Sequence, residues 1–117
     1  MSYTEFHTGR LIPVTIEISL EKTCRDIAKI ENIELGDSWE EDFMDKFDSY
    51  NKKRGGKIEY FIHGDKLYKV VDHFESHDEE TFMKLYPNSD GSISFVGSFY
   101  NGGTDFTEML EEALDKN

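Results

Sequence analysis

One cysteine, two prolines and one tryptophan among 117 residues leave several protein classes without their material. The lone thiol, Cys24, cannot close an intramolecular disulfide, which excludes a small secreted scaffold stapled by cross-links. No apolar run approaches the roughly 18 residues needed to span a bilayer. The opening Met-Ser-Tyr-Thr-Glu-Phe-His has neither the basic start nor the apolar stretch of a signal peptide. Cytoplasmic residence without membrane contact is the expectation. Positive charge is scarce as well: 13 Lys and Arg face 25 Asp and Glu, a formal net of −12. Such a surface repels phosphate backbones and anionic headgroups, and it speeds encounter with basic protein surfaces. Direct nucleic-acid binding is not expected.

What is present suffices for one core. A chain of this length is near the commonest domain size, so 1–117 reads as a single domain. Hydrophobic residues make up only 37%, but nine Phe and six Tyr are among them. Each buries about 150–250 Å² when packed, which argues for folding over disorder.

The pattern of elements follows from spacing. Ile12, Val14, Ile16 and Ile18 alternate within 10–18 and predict a strand, with Pro13 placing it at a sheet edge or making it irregular at its start. Ser19 stands where an N-cap belongs, before Leu20, Cys24, Ile27 and Ile30 at helical spacing; a first helix is expected over 20–32. Ser38 and Glu41 form a capping-box pattern ahead of the stripe Trp39, Phe43, Phe47 and Tyr50. Lys52, Lys53 and Arg54 then suit a last turn, and Gly55-Gly56 a stop, giving a second helix over 39–53. Gly64-Asp65 is a two-residue hairpin signal joining 57–63 to 66–74. If His63 pairs with Lys66, one face holds Ile58, Tyr60, Ile62, Leu67 and Val71, and the other Phe61, Tyr68, Val70 and Phe74. A connection over 75–80 leads to a second hairpin, 81–86 with 92–100, turning through Pro87-Asn-Ser-Asp-Gly91. Finally Phe106, Met109, Leu110, Ala113 and Leu114 form a full apolar stripe. The expected class is α+β: an antiparallel sheet of about four to five strands with three helices packed on it.

No catalytic pattern stands out, and a non-enzymatic protein without cofactor or metal is expected. Asn101-Gly102-Gly103-Thr104 precedes a helix start but lacks a nearby Lys and the phosphate-loop spacing, so a tight turn is the better account. His7, His63, His73 and His77 stand near several acids, yet zinc needs three or four converging ligands, and surface histidines fit the pattern better. Cys24 lies on an apolar helical stripe and reads as a small core residue. The acidic helices carry the main functional expectation. Glu41, Asp45 and Asp48 follow one face of the second helix, and Glu108, Glu111, Glu112 and Asp115 one face of the last. Neighbouring carboxylates on such a face lie about 5–6 Å apart, comparable with a step of roughly 7 Å between successive phosphates. A basic channel built for nucleic acid can accept such a surface as a mimic, although acids on solvent faces also serve solubility. The Phe61, Tyr68, Val70 and Phe74 face is either an exposed aromatic patch or buried.

From Ser98 through Tyr100-Asn-Gly-Gly103 to Leu114, an aromatic turn enters an acidic amphipathic helix. This stretch, 17 of the 117 residues, resembles the C-terminal end of small uncharacterised proteins encoded by bacteriophages and prophages. The resemblance supplies no catalytic residues. It implies a setting in which small acidic proteins inhibit or modulate host enzymes and defence systems. The expectation is therefore a protein-binding modulator, monomer or homodimer, that meets the basic surface of a host protein through the seven acids named. The alternative is a nucleotide-type small-molecule binder using the aromatic hairpin face with Arg10 and the basic 52–57 cluster. A metal-dependent hydrolase is a third class.

Overall fold

The structure, a computed structural model, describes residues 4–48, 58–77, 82–100 and 106–116, with the side chains of 4, 74–77, 99 and 100 left aside. Its elements are β1 (Thr4–Pro13), α1 (Leu20–Ile30), α2 (Trp39–Phe47), β2 (Tyr60–His63), β3 (Lys66–His77), β4 (Phe82–Pro87), β5 (Ile93–Tyr100) and α3 (Phe106–Lys116). The strands form one five-stranded antiparallel sheet in the order β2-β3-β1-β5-β4. The α+β class holds. The chain falls into two compact units, Pro13–Lys69 and Met1–Ile12 with Val70–Asn117.

In the Pro13–Lys69 unit, residues 14–18 are not strand, contrary to the alternation of Ile12 to Ile18. Pro13 ends β1 because it cannot donate to a ladder, and beyond it only the Val14 N–H reaches a strand, donating to Leu67 O at 2.9 Å. Ser19 is the expected N-cap: its backbone is extended and its Oγ accepts from Lys22 N at 3.1 Å. The buried positions of α1 are Cys24 and Ala28, whereas Ile30 is 82% exposed. The helix stops at Ile30 because Asn32 takes φ 60° and the amides of Glu31, Asn32 and Ile33 turn back onto Ala28 and Lys29 carbonyls.

The capping box at Ser38 does not form. Arg25 donates to the carbonyls of Leu35 and Gly36 at 2.6 and 3.0 Å, and Gly36 N donates to Asp42 Oδ2 at 3.0 Å. These bonds shape the loop into α2, leaving Ser38 at ψ 51° with no side-chain cap bond. The second helix is also shorter than its sequence suggests. It ends at Phe47, Asp48 bridges to Ile58, and Glu59 N donates to Phe47 O at 2.7 Å. The expected last turn and glycine stop, with Tyr50, lie outside the described residues.

Phe43 and Phe47 are buried one turn apart, and Tyr60 packs against both, with ring centroids at 5.7 and 5.2 Å. Cys24, Ala28, Leu35 and Leu67 complete this core. Burial, followed by the Glu40 carboxylate, pushes the Cys24 thiol up to about 12. Between β2 and β3, Gly64 at φ 63° starts the turn and His63 pairs with Lys66, as the hairpin signal predicts.

In the other unit, β1 begins six residues earlier than its hydrophobic pattern indicates. Glu5, His7 and Leu11 are buried at period two, so one strand face points inward with only one aliphatic side chain among the three. Gly9, between His7 and Leu11, meets the backbone carbonyl of Val71, and an added Cβ would also lie 2.8 Å from the Phe95 ring. The β4–β5 hairpin turns as expected, with Asp90 Oδ1 accepting from Ser92 N and Ser92 Oγ. Those bonds, aided by Arg10, hold the Asp90 carboxyl below its usual range. β3 extends to His77, so the expected connection over 75–80 gives way to strand as far as residue 77. Val71, assigned by alternation to an apolar face, is 48% exposed. Phe106, Leu110 and Leu114 of α3 are buried, as its stripe predicts.

Two predictions follow from this packing. Gly9→Ala overpacks a site with a rigid backbone wall, and should cost about 3 kcal/mol or more in urea unfolding. Cys24 should resist thiol reagents at pH 8 until the chain is unfolded. Because its folded value is the raised one, its contribution to stability is complete below the unfolded thiol's ordinary range and is lost as pH rises toward about 12.

Candidate interaction surfaces

The last helix presents the most coherent charged surface. Burial of Phe106, Leu110 and Leu114 fixes its roll, and Glu108, Glu111, Glu112 and Asp115 all stand exposed. They recur at steps of three and four and so share the outward side. Within the same unit, Phe106 packs on His7 and Phe95, with ring centroids at 4.8 and 5.7 Å. This places α3 against the sheet face formed by the odd-numbered residues of β1 and β5. The even-numbered residues of β1, β5 and β4 make the other face. It carries Phe6, Thr8, Arg10, Phe82, Lys84, Tyr86, Ser94 and Val96, with no carboxylate among these positions. Arg10, Lys84 and Tyr86 are exposed there. Among the described side chains of this unit, acids line the outward side of α3, whereas Arg10 and Lys84 stand on the other sheet face, with the Asp90 carboxylate of the hairpin turn near Arg10.

The second acidic face is smaller than the sequence predicts. Glu41 and Asp45 are exposed one turn apart on α2. Asp48 lies past the helix end in a bridge with Ile58 and is half-buried, so it does not continue their row. Glu40 adds an exposed acid in the first turn.

A site that hydrophobic patterning misses lies under α3. His7, with no exposed surface, has Nδ1 at 2.9 Å from Asp72 Oδ2 and Nε2 at 3.0 Å from Glu5 Oε1. A ring donating from both nitrogens satisfies both carboxylates at once. The acids are themselves nearly buried, at 11% and 13% side-chain exposure. The expectation that His7 is a surface residue is overturned, because β1 turns its odd-numbered side chains inward. The only sequence signal was Glu5 and His7 alternating with Leu11; Asp72 is 65 residues away from His7. Among the described residues no nucleophile is placed with this trio, and its geometry suits a structural tie between strands. His63 is half-buried and stacks on Phe61 at 6.4 Å, and His73 is exposed. Among the described residues, no three His, Cys, Asp or Glu side chains are placed to hold a metal.

The described part of the aromatic hairpin face is buried, the Phe74 side chain lying outside the described residues. Phe61, Tyr68 and Val70 are 1%, 5% and 8% exposed, which withdraws them from any ligand. The 52–57 cluster and the Asn101–Thr104 turn lie outside the described residues. No described helix is long and apolar enough to cross a membrane. Comparison with protein-family models, with curated proteins and with solved structures finds no match.

His7→Ala should lower stability by about 3–5 kcal/mol, because two nearly buried carboxylates then lose their shared partner. Urea unfolding checks this; a change within about 0.5 kcal/mol would mark the residue as an ordinary surface histidine.

Proposed function

We propose that this chain is a non-enzymatic, acidic, protein-binding modulator, encoded by a phage, that docks on the basic surface of a host nucleic-acid enzyme or defence nuclease. The observation supporting this reading is the one-sided charge of α3: four exposed acids in register, with the far sheet face of the same unit free of carboxylates on β1, β5 and β4. Acids gathered on one side of a helix give an uneven field that orients the molecule as it approaches a cationic cleft. Glu41 and Asp45 on α2 add to the attraction. In such a complex the acids set encounter rate and register, and their row imitates the spacing of a phosphate backbone only in outline. The resemblance of the C-terminal stretch to phage-encoded proteins supplies the setting. Burial of Phe61, Tyr68 and Val70 counts against the nucleotide-binding alternative.

Exposed charges act through solvent, so screening is the diagnostic. The Debye length shrinks from about 10 Å at 0.1 M salt to about 3 Å at 1 M. A partner captured from host lysate at the lower salt should be largely lost at the higher. The triple variant Glu108→Lys, Glu111→Lys, Asp115→Lys should capture it at least about tenfold less well. Equal capture by the variant contradicts the reading.

A further inference from the structure

Two residues that the sequence marks as core are left uncovered by the fold. Ile18 closes the alternating run from Ile12, and Ile30 belongs to the apolar stripe of α1. They are nonetheless 76% and 82% exposed, the two most exposed large aliphatics of the described chain. Both line one open groove of about 220 Å³ between the 14–18 segment and α1, floored by Val14 and Ile27. Liquid water occupies about 30 Å³ per molecule, so the groove has room for a side chain rather than one bound water. Its rim is polar. Lys22 is engaged by Asp26 at 3.1 Å, whereas Glu17 is exposed without an ion pair or hydrogen bond to another described residue.

We infer that this groove is the apolar anchor site for a basic amphipathic segment of a partner protein, with an aliphatic or aromatic side chain seated between Ile18 and Ile30 and a Lys or Arg facing Glu17. The occupant follows from charge. A second copy of this chain carries the same net −12 and is repelled as a whole, and an acidic segment meets the exposed carboxylate of Glu17. A cationic segment removes both penalties while covering the two isoleucines. Aliphatic anchors set in a charged rim are how an otherwise polar interface obtains its slow dissociation. The inference rests on the proposed reading of a basic protein partner, and adds where its apolar contact falls.

Isoleucine-methyl NMR on the intact chain tests it, with a synthetic amphipathic helix of Leu and Arg as probe and the same peptide with Glu for Arg as control. The Leu/Arg peptide should give saturable shifts at the Ile18 and Ile30 methyls, at least about tenfold tighter than the Leu/Glu peptide. The Ile18→Ser, Ile30→Ser double variant should lose that binding about tenfold with its melting temperature unchanged, since both side chains are on the surface. Silent isoleucine methyls overturn the inference, including the case in which shifts appear only on α2 and α3; that case leaves the charge reading standing. Equal affinity for the Leu/Glu peptide overturns it too. So does a dimer that forms without peptide and dissolves in the double variant, since the occupant is then a second copy. Responding methyls that are indifferent to the Lys substitutions on α3 support the groove and count against the charge reading.

Discussion

An excess of twelve negative charges on a chain of this size is a constraint that every buried surface has to respect. A carboxylate taken from water without a partner costs several kcal/mol, so acids either face solvent or are matched. In the unit built on β1, β5 and α3, both solutions occur. Glu5 and Asp72 go inward and are held by the two nitrogens of His7. Glu108, Glu111, Glu112 and Asp115 go outward on α3, whose buried Phe106 rests on the same histidine ring. The inner match and the outer display are thus connected through one aromatic contact. The histidine ties β1 to β3, and Phe106 sets the roll of the helix that carries the outward row.

Local signals in the sequence translated well into structure. Ser19 caps α1, Gly64 turns the first hairpin, the Pro87–Gly91 cluster turns the second, and the α3 stripe is buried as spaced. Each depends on residues a few positions apart. The failures arise where distant contacts decide. Residues 4–9 did not look like a strand, because the inward positions Glu5, His7 and Gly9 hold little hydrocarbon. Their burial depends on Asp72 and on the close approach of Val71, neither of which periodicity can show. The capping box at Ser38 lost to bonds from Arg25 and Asp42 that fix the preceding loop. Ile30 stayed in its helix and Ile18 fell beyond the end of its strand, and nothing in the described chain covers either.

The same split applies to function. The acids of α3 were legible, since an amphipathic helix determines which side faces out. Asp48 was not, because it depended on a helix end that the bridge to Ile58 moved. Nor was the face of β1, β5 and β4 that holds no carboxylate, which gathers alternate residues from strands far apart in sequence. In the proposed reading, that face leaves the described acids of α3 as the row a partner meets. In the other unit, α1 offers the converse, apolar surface in a polar rim. In the proposed reading, attraction and anchoring fall to different features, each described within its own unit.

Directionality of the field is the claim on which the functional account stands, and it can be measured without any partner. Small nitroxide cosolutes of opposite charge relax backbone amide protons according to the local potential. The cationic nitroxide should relax the amides of 108–115 several-fold more than the anionic one, and the preference should vanish or reverse at Arg10 and Lys84. Equal ratios at both places would show the negative charge to be spread evenly, and would contradict the account.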